Sequence, residues 1–257
     1  MVESYYYPLM RVAAIYDIHG NLPALEAVLE EIRRESVDRI VVGGDVFPGP
    51  MARESLECLL RLEIPVLFIH GNGDRAVRER MGGSEAAHLP EQAREVIRWN
   101  AHQLDRGHEL LLAGWPPALR LTIGDLGEVL FCHATPRNDT EIFTRLTDED
   151  RLRAVFAGVS EALVVCGHTH MQFDRPIGTI RAVNAGSVGM PFGEPGAYWL
   201  LLGPGLELRH TPYDLEAAAA RIRATDYPRA NEFAERHVLH PPSEEEILER
   251  YSSAELR

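Results

Sequence analysis

Apolar residues fall into short runs along the chain, and several runs end in a polar residue able to bind a cation. The first run, residues 11–16, reads as a strand and ends in Asp17 and His19, with Asn21 placed to cap the next helix. Leu22, Leu25, Val28, Leu29 and Ile32 then recur at helical spacing, with Pro23 in the first turn, where its missing N–H costs little. A second strand, Arg39–Val42, leads into Gly43-Gly44-Asp45 and a helix over 53–62. A third, residues 65–69, ends in His70-Gly71-Asn72-Gly73-Asp74. This alternation predicts a parallel, helix-covered sheet.

Residues 75–118 break the rhythm with a loop at 82–84, a helix over 90–104 and a turn at 114–117. The stretch reads either as an insertion that caps a site or as a plain surface excursion. From Ala118 the pattern becomes short strands at 119–123, 128–131, 163–165, 179–183 and 198–202, interrupted by one helix near 148–157. The economical reading is a second sheet. After Asp214 the spacing is helical again, at 217–220, 231–236 and 244–251. This C-terminal extension, 215–257, can pack on the domain, serve a homo-oligomeric contact or form a loose tail. No repeat or linker divides the chain, so 1–257 reads as a single domain, with 1–10 and its three tyrosines as a leading tail.

At 257 residues the chain can bury a substantial core, and 45% hydrophobic with 25% charged residues is the balance of an ordinary soluble globular protein. A net charge of −13 argues against an extended nucleic-acid groove, which needs a basic face. It leaves room for a small phosphorylated substrate, because bound cations reverse the local field. There is no lysine, which excludes a Walker A loop and Schiff-base chemistry. Cys58, Cys132 and Cys166 show no metal or disulfide spacing, and the last two read as buried thiols. No apolar stretch is long enough for a membrane span, and the first ten residues lack signal-peptide character, so the expected location is cytoplasmic.

Asp17, His19, Asp45, Asn72, His133, His168 and His170 all end apolar runs. In an α/β fold such groups gather at the carboxyl ends of strands. Seven oxygen and imidazole ligands exceed the needs of one four-coordinate zinc and suit two divalent metals sharing a carboxylate. A set without thiolate favours Mn, Fe, Zn or Co, with Ni also compatible, over copper or iron–sulfur centres.

Asp17-x-His19, Gly44-Asp45, Gly71-Asn72-x-Asp74, His133 and Gly167-His168-Thr169-His170 resemble, in order and approximate spacing, the motifs of the calcineurin-like metallophosphoesterases. Within that family the chain looks like the compact bacterial and archaeal phosphodiesterase branch. The resemblance implies an α/β (α+β) fold, a metallophosphoesterase-like four-layer sandwich of two facing mixed β-sheets flanked by helices. It also implies a two-metal centre, most readily Mn, in which Asp17, His19 and His170 hold one ion and Asn72, His133 and His168 the other. Asp45 would bridge them, and a hydroxide between the metals would be the nucleophile, making Asp45, Asn72, His133 and His168 catalytic. Residues 184–189 resemble a family segment that packs beside the site without a catalytic role.

One departure matters. Many relatives carry a leaving-group acid, His, where this chain has Gly73. General acid catalysis is typically worth ~10²–10⁴ in rate, so poor alkoxide leaving groups suffer most. The resemblance therefore points to phosphodiesters, cyclic nucleotides or dinucleoside polyphosphates, with a phosphomonoesterase or protein phosphatase as the alternative. A non-catalytic scaffold on the same fold is a further alternative. His70 can reach the site from the strand end or else pack in the core, and Asp74 is left to brace the loop. Arg137, behind the stiffening Pro136, is the expected phosphate clamp, while Arg75 reads as a solvated arginine.

Overall fold

A computed structural model describes residues 10–256, so all but Met10 of the expected leading tail lies outside the described residues. The first half runs β1 (Val12–Ile15), α1 (Leu22–Arg34), β2 (Arg39–Val42), α2 (Ala52–Leu60), β3 (Val66–Phe68) and α3 (Asn72–Met81). Next come α4 (Glu91–His102), α5 (Arg106–Ala113), β4 (Ala118–Thr122), β5 (Glu128–Cys132), α6 (Glu149–Val155) and β6 (Leu163–Cys166). The chain continues through β7 (Phe173–Ile177), β8 (Ile180–Asn184), β9 (Ala197–Leu202) and β10 (Leu206–Thr211). It closes with α7 (Leu215–Arg223), α8 (Ala230–Phe233), a π-helical turn (Ala234–Leu239) and α9 (Glu244–Ser252).

The strands form two mixed five-stranded sheets, β10-β9-β1-β2-β3 and β4-β5-β6-β8-β7. Alternation along each strand divides its side chains between two faces. Val12, Ala14, Tyr16 and Val41 of the first sheet pack against Val129, Phe131, Val165 and Val183 of the second. Ala13, Ile15, Ile40 and Val42 point the other way, into a cluster with Leu25, Val28 and Leu29 of α1 and Leu56 of α2. On the far side, Leu130, Val164 and Ala182 bury against Leu152 and Val155 of α6. The result is the four-layer sandwich expected from the sequence.

The sequence pattern misassigns some elements. The strand expected at 198–202 belongs to the first sheet, where β9 pairs antiparallel with β1. Strand β1 is buried on both faces, so the apolar β9 satisfies that edge as well as a second-sheet position would; periodicity cannot choose between them. Antiparallel β9 and β10 also make the first sheet mixed rather than purely parallel. Strands β7 and β10 escape the pattern because each is an edge strand rich in polar residues, and β7 carries Pro176, tolerated only at an edge or bulge. Helices α3 and α5 are missed because few of their residues are buried, leaving no clear apolar stripe.

The helices of 75–118 and the C-terminal helices meet. Val96 and Trp99 of α4 join Ala218, Ile222, Phe233 and Val238 in one apolar cluster, and Trp99 meets Tyr227 edge-on at 5.3 Å. Among the described residues no helix is long and apolar enough to cross a membrane.

Phe131 is fully buried between the two sheets. Phe131→Ala is expected to cost about 3–5 kcal/mol, read as a lower denaturant midpoint in equilibrium unfolding. A loss below about 1 kcal/mol would mean that the intersheet layer closes around the gap.

Candidate metal centre

The loops after β1 and β2 carry the parallel ladder beyond the strands. Asp17 N–H donates to Gly44 O at 3.1 Å, His19 N–H to Asp45 O at 2.9 Å and Gly20 N–H to Val46 O at 3.1 Å. Behind them, Ser187 Oγ and Gly189 N–H donate to Asp17 O, so the 184–189 segment braces the first loop. Asn184 Nδ2 ties down the loop after β6 by donating to Gly167 O at 2.6 Å. Asn21 caps α1 through Ala24 N–H and also donates to Gly189 O.

These loops hold side chains in uncommon conformations. Asp17, His19, Asp45, His168 and His170 all have positive φ, between 44° and 65°. Left-handed backbone costs a non-glycine residue roughly 1–2 kcal/mol. Five such residues in one place mark strain held by the surrounding fold, which is characteristic of a functional site.

Two groups result. Ligand atoms of Asp17, His19 and His170 lie within 4.8 Å of one another, as do those of Asp45, His133 and His168. Asp45 Oδ2 stands between the groups, 3.6 Å from His19 Nε2 and 3.5 Å from His133 Nε2. The Asn72 side-chain amide, at the first residue of α3, lies 3.0 Å from His168 Nδ1 and 3.2 Å from His133 Nε2. All seven residues singled out in the sequence are thus brought together.

Hydrogen-bond bookkeeping tests whether cations fit here. His19, His133 and His170 each direct Nδ1 at a backbone carbonyl, of Pro48, Gly43 and Met190 respectively. A carbonyl only accepts, so Nδ1 carries the proton and, in the neutral ring, Nε2 presents a lone pair. His168 does the reverse, with Nε2 facing Thr140 O and Nδ1 turned toward the Asn72 amide. Asp17 Oδ2 accepts from His168 N–H, but its buried Oδ1 has no hydrogen-bond partner and faces His170 Nε2 at 3.3 Å. Lone pairs converging on a buried carboxylate need positive charge between them. A divalent cation in each group supplies it, so the residues present fit a two-metal centre. The Asn72 amide suits either state: its oxygen toward the nitrogens binds a cation, its NH₂ binds the bare lone pairs.

The titration behaviour says the same. Burial opposes charge on Asp17 and Asp45, yet His170 holds Asp17, and His133 holds Asp45, below the usual carboxylate range. Burial also disfavours the His133 imidazolium, but Asp45 and Asp17 outweigh it and raise that group to about 10. His168 is pushed down to about 4 by burial and by His133.

Other residues settle the departures from pattern. Asp74 braces the loops, accepting from Asp45 N–H at 2.7 Å, Phe47 N–H at 3.0 Å and Gly71 N–H at 3.0 Å. Burial and Asp45 push Asp74 up to about 7 against these donors. Gly73 is sterically sealed: a Cβ there would sit 2.3 Å from Phe47 O and 2.9 Å from Pro48 Cδ. Its N–H donates to Asp45 Oδ1 at 2.7 Å.

The expected substrate-binding residues are placed differently. Arg137 does not point a free guanidinium at the centre; Glu141 holds it through Nε at 2.7 and 2.8 Å and again through Nη2. Arg75, expected to be solvated, forms a bidentate pair with Asp139 at 2.7 and 2.9 Å and lines a cavity beside Asn72. The His70 ring faces the same Asp139, its Nδ1 3.6 Å from Oδ2. Burial opposes charge on Asp139, but His70 and Arg75 hold it well below the usual range. The sequence hides this cluster because Asp139 lies in a loop with no periodic pattern. Sequence reasoning does not single out His237, yet its buried Nδ1 has no partner and its ring lines a cavity beside His19. Burial, reinforced by His170 and His19, pushes it down to about 3.

The family model of the calcineurin-like phosphoesterase superfamily domain matches residues 10–202. An uncharacterized protein of Methanocaldococcus jannaschii is 29% identical over 163 residues, 63% of this chain and 63% of that protein, so the match spans less than two-thirds of the relative. Among solved structures, a metallophosphoesterase from Sphaerobacter thermophilus is 25% identical with a TM-score of 0.66, covering 88% of this chain and 98% of that one. A hypothetical protein from Pyrococcus horikoshii shares the fold with a TM-score of 0.74 at 21% identity, covering 91% and 100%.

Two outcomes follow from the geometry. Gly73→Ala forces its Cβ against the Phe47 carbonyl and is expected to destabilise by about 1–3 kcal/mol in denaturant titration; an unchanged midpoint would show that the 46–48 loop yields. His237 stays neutral when folded down to about pH 3, whereas an unfolded histidine takes a proton near pH 6.5. The unfolded state therefore binds more protons in that window, and this group removes stability as pH falls, by up to about 1.4 kcal/mol per unit. His237→Gln should flatten the stability–pH curve between roughly 6.5 and 3. Parallel curves for the two proteins would place His237 in water.

Proposed function

The chain belongs to the calcineurin-like phosphoesterase superfamily, and from that premise we propose that it is a metal-dependent hydrolase of phosphodiester or nucleotide substrates. Cyclic nucleotides and dinucleoside polyphosphates fall within this class. The observation that carries the reading is the convergence of imidazole lone pairs on a buried carboxylate oxygen without a hydrogen-bond partner. On this reading Asp17, His19 and His170 would hold one divalent ion. Asn72, His133 and His168 would hold the other, with Asp45 standing between the two groups. Mn²⁺ suits this nitrogen and oxygen set, with Fe, Zn, Co or Ni as substitutes.

When bound, such a pair supplies charge neutralisation at phosphoryl oxygens and a water acidic enough to attack at neutral pH. The chain's own residues do the positioning. The backbone carbonyls of Pro48, Gly43 and Met190 fix ring orientation and tautomer, and Asp74 locks the Asp45 loop to the start of α3. That helix adds its positive end beside Asn72, where an anionic substrate benefits. The sealed Gly73 leaves no leaving-group acid at that position, which favours diesters and anhydrides over monoesters of poor leaving groups. A small phosphorylated substrate acted on in the cytoplasm suits a chain of net charge −13 better than a nucleic-acid polymer does.

The test compares Mn²⁺-dependent hydrolysis of bis-p-nitrophenyl phosphate and p-nitrophenyl phosphate, with Asp45→Asn as control. The diester should have the higher kcat/KM, chelation should abolish turnover, and Asp45→Asn should lower kcat at least about 10²-fold, the scale of losing one preorganised electrostatic group. Monoester preference would favour a phosphatase. No turnover together with no bound metal would favour a scaffold.

A further inference from the structure

Two cavities flank the metal centre, one against each ligand group. The first, about 280 Å³, has His19 in its wall together with Pro48 and Met190, the residues whose carbonyls orient His19 and His170. The second, about 240 Å³, has Asn72 and Gly73 in its wall together with Thr140, whose carbonyl orients His168. Pro48, Ala93 and Val96 line both, so a ridge made by α4 and the loop after β2 divides them. Each volume is near the small end of organic-ligand pockets, roughly 300 Å³.

The walls differ in chemistry. The first cavity is closed by Tyr227, Phe233 and His237 of the C-terminal extension, beyond the 10–202 family match. Aromatic rings and Met190 supply an apolar surface, while Gln92 and the paired Arg229 and Glu232 supply hydrogen-bonding groups. A planar heterocycle satisfies both, stacking or packing edge-on against the rings and hydrogen-bonding at its rim. The second cavity sets Arg75, Glu79 and His88 beside Ala86, Leu89 and Ile97.

We infer that the substrate phosphate carries two substituents, one in each cavity, and that the cavity closed by the C-terminal helices takes a nucleoside-like ring system. This rests on the hydrolase reading above and specifies its substrate. A monoester leaves one cavity empty; a two-armed phosphate fills both across the α4 ridge. Tyr227 and Phe233 are specificity residues on this account, and the insertion and C-terminal extension act together because α4 supplies the ridge and the extension the far wall.

The experiment uses two diesters with the same leaving group, thymidine 5′-(p-nitrophenyl) phosphate and methyl p-nitrophenyl phosphate, on the Mn²⁺-equilibrated protein. Alongside, calorimetry measures binding of thymidine 5′-monophosphate against methyl phosphate. The nucleoside compound should lead by at least about tenfold in kcat/KM and in affinity. Phe233→Ala should shrink both ratios, and Ala93→Trp, which fills the ridge region, should bring them toward one. Ala76→Trp, filling the second cavity, should lower diester kcat/KM more than it weakens monophosphate binding. Equal kcat/KM and equal affinity in the unsubstituted protein would overturn the inference while leaving the hydrolase reading in place, whatever the variants do. Tight, Phe233-dependent nucleotide binding without turnover of either ester would uphold the cavity assignment and remove the hydrolase reading. A nucleoside preference that survives both Phe233→Ala and Ala93→Trp would place the ring elsewhere and overturn the inference.

Discussion

The structure depends on one electrostatic constraint: anionic and lone-pair atoms are gathered in a buried place with too few protons to separate them. Asp17 and Asp45 are nearly inaccessible, and the histidine nitrogens that face them have their opposite nitrogens tied to carbonyls. Burying such groups unpaired costs several kcal/mol each, so this arrangement is stable only with positive charge at its centre. The left-handed conformations of five of these residues add to the cost. Both costs are offset by the scaffold. The parallel ladder runs on past the strand ends into the ligand loops, and the 184–189 segment buttresses them from behind.

The same constraint explains what could be read in advance. A polar residue ending an apolar run is visible in sequence because strand and ligand are adjacent, and Asp17, Asp45, Asn72, His133 and His168 all sit within a few residues of a strand end. The two-sheet architecture was legible for a similar reason, since buried strands have strong apolar patterns. The sheet to which β9 belongs was not, because an apolar run fits a central position in either sheet equally well. Edge strands β7 and β10 carry too many polar residues to announce themselves. Side-chain pairing was the least legible. Arg137 and Arg75 look alike in sequence, and only the folded loop shows Glu141 taking the first and Asp139 placing the second beside Asn72.

The parts outside the ligand loops have their own logic. Helix α4 would be a poorly buried excursion if the chain ended after the second sheet, since Val96 and Trp99 would lose the apolar partners supplied by α7, α8 and the π-helical turn. Insertion and extension therefore stabilise each other. Together they enclose space next to the two candidate ligand groups that the sandwich alone would leave open. Loops and added helices on a rigid scaffold are where specificity is ordinarily set, and the boundary here falls between the strained, over-determined centre and these outer walls.

Gly73 connects the two levels. The Phe47 carbonyl closes off any side chain there, and the Gly73 N–H is committed to Asp45 Oδ1. The same packing that fixes Asp45 between the two groups therefore removes the position from which a leaving-group acid could act. The bare Gly73 position and the well-held Asp45 carboxylate are consequences of one close approach between the loop after β2 and the start of α3. On the proposed hydrolase reading, such a chain gives up help to poor leaving groups and gains rigidity at Asp45, which stands between both groups. On that reading, discrimination among substrates comes from the leaving group's own stability and from the cavity walls, rather than from protonation at the centre.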